Sequence, residues 1–170
     1  MELFQVMENV RTPRQTVEVM RTLARRAAHS PFVRCTAEDI LRCVPENNPA
    51  RESAALYDYV RLGVRYTGDI DNLETLKTPE YLITEIETMG TGTGDCDDMS
   101  LLLAALLVTS GYRCRFVLGT SWWNDSGESN HVYVQYFNPL SQSWVSLDPI
   151  IKDEFAGYEG EFKEHEVFDI

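Results

Sequence analysis

The sequence has no apolar run approaching the roughly 18 residues a membrane-spanning helix needs, so no such helix is expected. It has no Cys-x-x-Cys pair, no internal repeat and no low-complexity linker, which removes zinc ribbons, solenoids and flexible multidomain arrangements. The opening residues Met1-Glu2-Leu3-Phe4-Gln5 lack the basic segment and apolar core of a secretory signal, and the expectation is a cytoplasmic chain. Basic residues are scarce: 15 Lys and Arg face 27 Asp and Glu, a net charge of -12. That balance disfavours nucleic acid and anionic membrane surfaces, both of which need clustered cations. Four cysteines, Cys35, Cys43, Cys96 and Cys114, form no dense framework and read as free thiols in a reducing compartment. A zinc site built from Cys35, Cys43 and Cys114 with His29 lacks the usual short ligand spacing, and no metal or organic cofactor is expected.

What remains is an ordinary globular composition, 44% hydrophobic and 25% charged in 170 residues, enough for one domain with a real core. We divide it into a helical N-terminal extension (1–48), a core (49–149) and an acidic C-terminal segment (150–170). The charge is uneven, with six arginines against three acids in residues 1–34 and seven acids against two lysines in 149–170. The simplest reading of the basic segment is a solvated helix face; docking on acidic surface, within the chain or on a partner, is the alternative. His29, beside a helix end, and His165, in the acidic tail, read as solvated.

The first half carries helix starts. Thr12-Pro13-Arg14-Gln15 offers an N-cap, a proline at the first helical position and a capping-box glutamine, and His29-Ser30-Pro31 stops that helix. Helices are expected from Thr36 to near Pro45, from Asn48-Pro49, and from Thr78-Pro79-Glu80 to about Met89, where Gly90 ends the turn. Thr91-Gly92-Thr93-Gly94 reads as a flexible approach to an apolar helix closed by Gly111. Strands follow over Tyr112–Thr120, His131–Phe137 and Ser143–Asp148, with a turn-rich stretch at Asn124–Asn130. Helices first and an antiparallel sheet afterwards indicate an α+β fold. Lys152 to Ile170, with Phe155, Tyr158, Phe162 and Phe168 scattered among acids, reads as a segment that wraps the domain or contacts a partner.

The chemistry concentrates at Gly94-Asp95-Cys96-Asp97-Asp98, which runs into Met99-Ser100-Leu101-Leu102-Leu103. Asp95 can cap the helix and Asp98 can return the capping bond, placing Cys96 sulfur at a helix N-terminus, where negative charge is favoured. If Asn138–Ser141 forms the loop between the last two strands, Phe137 pairs with Gln142 and His131 falls directly opposite Asp148. Opposed residues share a face with Cβ atoms about 4.5–5.5 Å apart. Cys96, His131 and Asp148 then have the chemistry of a nucleophile, a general base and an orienting acid. The Cys96 backbone N–H is a natural oxyanion donor; Tyr66 is the candidate second donor, with Trp122 and Trp123 behind it. Trp122, Trp123 and Trp144 are candidates for an apolar substrate groove or for sheet packing. Asp95, Asp97 and Asp98 pull the other way, since like charge raises a thiol pKa.

These residues resemble the transglutaminase-like superfamily, a papain-related group. The resemblance covers Glu52 to Pro149 through Ala55-Leu56-Tyr57-Asp58-Tyr59-Val60 with Val64-Arg65-Tyr66, Leu76-Lys77-Thr78-Pro79-Glu80-Tyr81-Leu82, Gly94-Asp95-Cys96-Asp97-Asp98, Gly111-Tyr112-Arg113-Cys114-Arg115-Phe116-Val117, His131-Val132-Tyr133-Val134 and Trp144-Val145-Ser146-Leu147-Asp148-Pro149. It implies a papain-like core of N-terminal helices packed on an antiparallel sheet, with the nucleophile Cys96 starting a central helix, base His131 and acid Asp148. The chain looks like the compact core found in small bacterial and phage proteins. It has no glycine-centred calcium loop of the EF-hand type and no zinc pairs of the peptide N-glycanase branch.

The expected activity is acyl transfer on an amide bond of a peptide or protein, by hydrolysis or by transamidation. One rival is a structural or assembly module that keeps the fold without turnover. The other is transfer from an acyl thioester, as in arylamine acetyltransferases.

Overall fold

Helix starts are written plainly in this chain, and they set its first half. The computed structural model describes residues 4–6, 12–68, 75–124, 127–151, 157, 162 and 164–170; for 4–6, 121–124 and 127–129 it describes the backbone. Helices α1 (Pro13–Ala27), α2 (Pro31–Leu41), α3 (Pro49–Gly63) and α4 (Pro79–Met89) each begin with proline in the first turn, where its missing N–H costs nothing. Thr12, Asn48 and Thr78 side chains cap α1, α3 and α4, and Gly90 ends α4 in the left-handed conformation at φ 77°. One expected boundary moves: Pro31 opens α2, five residues before Thr36, because proline that ends one helix is equally suited to start the next.

Helix α5 (Cys96–Thr109) is buried from Asp98 to Leu107 on every side, as an apolar helix without a polar face must be. Val17, Met20 and Ala24 of α1, Val33 of α2, Leu56 and Val60 of α3 and Leu82 and Ile83 of α4 surround it in one core. No helix among the described residues is long and apolar enough to cross a membrane.

The far side of the core is a four-stranded antiparallel sheet in the order β7-β6-β5-β8, made of β5 (Cys114–Asn124), β6 (Gly127–Asn138), β7 (Ser143–Leu147) and β8 (Glu164–Asp169). Cys114, Phe116, Val132, Val134, Tyr136, Leu147 and Phe168 turn one face to α5. The opposite face carries Gly119, His131, Tyr133 and Gln135, in the strict alternation of a pleated strand. Two small ladders complete the fold: β1 (Phe4–Val6) pairs antiparallel with β3 (Thr75–Lys77), and β2 (Val64–Tyr66) pairs parallel with β4 (Gly92–Gly94).

Three expectations are corrected by this architecture and a fourth, for the acidic end, is given its form. Thr91–Gly94 is no flexible approach: its glycines sit in β4 because a Cβ at Gly92 would lie 2.8 Å from Leu82 Cδ1. The stretch 124–130 is largely strand, since β5 runs on to Asn124 and β6 starts at Gly127. The acidic end supplies a strand, β8, on the free edge of β5. The basic face of α1 is not simply solvated: Arg21 Nε donates to the Asp169 carbonyl at 2.8 Å and Arg14 pairs with Glu166 at 3.0 Å. Part of the charge asymmetry along the chain is therefore matched within it.

Candidate active site

The site is assembled where β7 ends and the start of α5 comes alongside β6. Asp95 is the N-cap of α5, its Oδ1 accepting from the backbone N–H groups of Asp97 at 3.0 Å and Asp98 at 3.2 Å. Cys96 occupies the first helical position, so its own N–H lies outside the helical ladder. The expected return bond is present, the Asp95 backbone N–H donating to the Asp98 carboxylate. Asp98 Oδ1 also accepts from the backbone N–H of Lys77 at 2.7 Å, tying β3 to α5, because Gly94 leaves room for the carboxylate beside it. A Cβ at Gly94 would lie 2.7 Å from Asp98 Cβ. Burial, with the charge of Asp95 second, pushes the Asp98 carboxyl up to about 7, against the pull of the Lys77 N–H.

Ser100, one turn along α5 from Cys96, donates its hydroxyl to the Val132 carbonyl at 3.0 Å, in the buried interior. The last β6–β7 pair is Val134 with Leu147, so the helix serves the part of β6 that β7 leaves uncovered. The Val132 backbone N–H in turn points at Cys96 Sγ. The sulfur thus lies beside the peptide unit that joins His131 to Val132. Its thiol donates to Asp97 Oδ1 at 3.4 Å. Burial pushes the thiol well above its ordinary value, the charges of Asp97 and Asp95 push the same way, and the Val132 N–H opposes them.

His131 Nε2 and Asp148 Oδ2 are 2.6 Å apart. With Nε2 engaged, Nδ1 is the ring nitrogen left to face another group. Asp148 is itself held at both ends: its Oδ1 accepts from the Ile150 N–H at 3.3 Å, and its carbonyl accepts from the Tyr57 hydroxyl of α3 at 2.9 Å. The carboxylate is 4% exposed, the imidazole 15%. Among the described residues no hydrogen bond joins Cys96 Sγ to the imidazole.

The hairpin register differs from the expected one. Asn138 pairs with Ser143 and Phe137 with Trp144, so the loop is Pro139–Gln142, with Gln142 in the left-handed region at φ 53°. Asp148 therefore lies one strand step beyond Leu147 and diagonal to His131. The displacement is two residues, which preserves the face, and diagonal neighbours on one face stay within reach of long side chains.

Tyr66 ends β2, pairs in register with Gly94 and is half exposed, so it stands two residues from the start of the cysteine helix. Trp122 and Trp123 belong to β5, but their side chains fall outside the described residues. Trp144 is away from Cys96, packed edge-on to Phe137 at 5.5 Å and covered by Arg115 at 4.1 Å. Cys114 is buried in the core and Cys35 and Cys43 are exposed. Among the described residues no group of three or more His, Cys, Asp or Glu side chains is placed to hold a metal ion. Two participants escaped the sequence reading: Tyr57, whose hydroxyl is indistinguishable in sequence from any core tyrosine, and Phe162, discussed below. For Phe162 a signal existed, since Gly119 is an isolated glycine inside a strand and marks a close approach.

Residues 38–149 match the sequence profile of the transglutaminase-like superfamily. This chain belongs to that superfamily. The match begins in α2, fourteen residues before the Glu52 that opens the resemblance read from motifs. Comparison with curated proteins finds no match. Among solved structures, a candidate cysteine protease from Cytophaga hutchinsonii superposes with TM-score 0.57 at 15% identity, covering 97% of this chain and 57% of that one. LapG from Legionella pneumophila in a calcium-bound form superposes with TM-score 0.52 at 16% identity, covering 80% of this chain and 74% of that one. At such identities the likeness establishes the fold, an α+β transglutaminase-like core, and no more.

Proposed function

We propose that this transglutaminase-like domain is a cysteine-nucleophile enzyme that transfers the acyl group of a peptide or protein amide. The observation that carries the reading is the His131–Asp148 pair at 2.6 Å, set one peptide unit from a thiol at a helix N-terminus. The protease descriptions of the structural neighbours point the same way.

In the structure the thiol is placed to donate to Asp97. Rotation of the Cys96 side chain to another staggered position turns the S–H away from Asp97 and toward His131 Nδ1. Nδ1 takes the proton, and the sulfur electron pair forms the S–C bond to the amide carbonyl. The carbonyl oxygen becomes negative and faces the Cys96 N–H at the helix start, with Tyr66 as candidate second donor. His131 returns the proton to the amine as the C–N bond breaks, leaving a thioester. Water or a second amine then attacks that thioester, giving up its proton through His131 while the thiolate leaves. Asp148 holds the ring in one tautomer and stabilises the imidazolium throughout.

The carboxylates around Cys96 do not offer a ready cage for an ion such as the one in calcium-bound LapG. Asp95 is committed to two backbone N–H groups and Asp98 to two more.

A second reading keeps the fold without turnover, and one observation favours it: burial and two aspartates hold the Cys96 proton firmly. Timed alkylation with peptide mapping separates the two. A catalytic Cys96 reacts with iodoacetamide near neutral pH faster than the exposed Cys35 and Cys43 despite being less accessible. Cleavage or transamidation of a peptide library is lost in Cys96→Ala. If Cys96 reacts no faster than Cys114, the non-catalytic reading stands.

A further inference from the structure

We propose that Phe162 is a positioning residue for His131, an inference that rests on reading His131 as the general base. The sheet order β7-β6-β5-β8 means that the chain leaving β7 must return on the far side of β5 to form β8. Gly157 is on the β7 side, its N–H donating to the Ser146 carbonyl at 2.7 Å. Phe162, two residues before β8, lies over the sheet face that carries His131.

Its seat is a glycine. Gly119 of β5 pairs directly with His131 of β6, so the two positions share a face. A Cβ at Gly119 would lie 2.4 Å from Phe162 Cδ1 and 2.7 Å from Cε1, so any other residue there would displace the ring. The phenyl ring stacks on the imidazole with centroids 6.1 Å apart and planes inclined by 25°. It also stacks on Tyr133 at 5.6 Å and 14°, and Tyr133 stacks on His131 at 6.1 Å and 23°. The three ring planes thus lie within 25° of parallel in one offset cluster, and Tyr133 is 1% exposed.

The packing has a mechanical consequence. The hydrogen bond to Asp148 fixes Nε2, but a single bond leaves the imidazole free to tilt about it, and χ2 of histidine has a broad well. Phenyl and phenol faces remove that tilt and hold Nδ1 in a constant direction. They also keep water from the Nε2–H···Oδ2 bond, which is stronger in a dry setting. The residue touches neither the thiol nor the carbonyl to be attacked. It acts through the ring it supports.

The test uses the full chain with ¹⁵N-labelled histidine and the variants Phe162→Ala, Phe162→Leu, Phe162→Tyr and Gly119→Ala. Two readouts report on His131 whether or not turnover occurs: exchange of the Nε2 proton with water and the ring-current shifts of the imidazole carbon-bound protons. In Phe162→Ala, the exchange accelerates and Cys96 alkylation slows, each by about tenfold, on the scale expected for a modestly misplaced catalytic group. Gly119→Ala reproduces both changes, and combining it with Phe162→Ala adds nothing, while Phe162→Tyr keeps wild-type values. Phe162→Leu retains apolar volume without a flat ring; it also accelerates exchange, and it carries the test should the alanine variant fail to fold. Unchanged exchange and ring shifts in a folded Phe162→Ala or Phe162→Leu overturn the proposal. If Cys96 proves inert in the wild type while His131 still responds to Phe162, the acyl-transfer reading falls and the positioning of the ring stands.

Discussion

Two thiols in this chain are pushed upward by burial, one at the start of α5 and one at the start of β5, and their surroundings differ in kind. Cys114 faces the core, its thiol directed at the Tyr112 carbonyl at 3.6 Å, and burial is the one cause acting on it. Cys96 feels burial too, but beside it are two carboxylates that hold its proton, a Val132 N–H that would favour its loss, and the His131–Asp148 pair. Burial alone makes an inert thiol. On the proposed mechanism, what sets Cys96 apart is a choice of proton partners, Asp97 in the structure as it stands and His131 Nδ1 once the side chain turns. The contrast suggests that reactivity here is conditional on the imidazole and is not supplied by the helix N-terminus alone.

The largest expected effect breaks that contrast outright. Replacing His131 by Ala leaves Cys96 with its carboxylates and its burial, so it should behave like Cys114. Turnover and alkylation near neutral pH should fall by about 10²–10⁴-fold, the usual contribution of a positioned general base. Stopped-time alkylation read by peptide mass measures both cysteines in one sample. Retention of selective Cys96 labelling in His131→Ala would assign the activation to the helix start instead.

The next effect concerns stability. Asp98 has a carboxyl raised to about 7 in the fold, against 3.8 for the free group. Between those values the folded chain holds a proton that the unfolded chain releases, so the contribution is full below about pH 4 and is lost as pH rises through about 7. Asp98→Asn mimics the protonated form and can still accept from the Lys77 N–H. The variant should lose less stability than wild type between pH 4 and 7, by about 1–4 kcal/mol after allowing for relaxation around the buried group. Urea unfolding at both pH values gives the difference, and parallel curves for the two proteins would count against it.

How far the sequence reaches is clear from where these residues came from. The helix starts were legible because caps and prolines act locally: Thr12, Asn48 and Thr78 each satisfy an N–H within their own first turn. The transglutaminase-like fold followed from motifs in order. Of the two backbone partners of Asp98, the capping bond from Asp95 was legible and the Lys77 N–H was not, since it is 21 residues away and local capping rules have no view of it. The hairpin loop slipped by one position because Gln142, unmarked by glycine or asparagine, takes the left-handed conformation. Facing survived the resulting two-residue shift in pairing because side chains repeat every two residues along a strand. β8 was hidden for another reason. Its support comes from β5 and, more than a hundred residues away, from the α1 arginines, and half of its own residues are acidic.

The smallest predicted effect sharpens the contrast from the other side. Asp97 receives the Cys96 proton at 3.4 Å and is the second-largest cause, after burial, of the raised thiol pKa. In Asp97→Asn the negative charge disappears while an amide of similar shape remains, so the thiol pKa should fall. At any pH below that pKa the thiolate fraction then rises, and the alkylation curve for Cys96 moves to lower pH while that for Cys114 stays in place. The shift should be the smaller part of the whole displacement, because burial, the larger cause, is untouched. Turnover need not follow the same direction. If Asp97 merely parks the proton between cycles, its removal speeds alkylation several-fold and leaves the acyl-transfer rate nearly level, because His131 sets the ion pair in either protein. A Cys96 curve that does not move would mean that the carboxylate is screened from the sulfur, and the acidic run around the nucleophile would then serve helix capping alone.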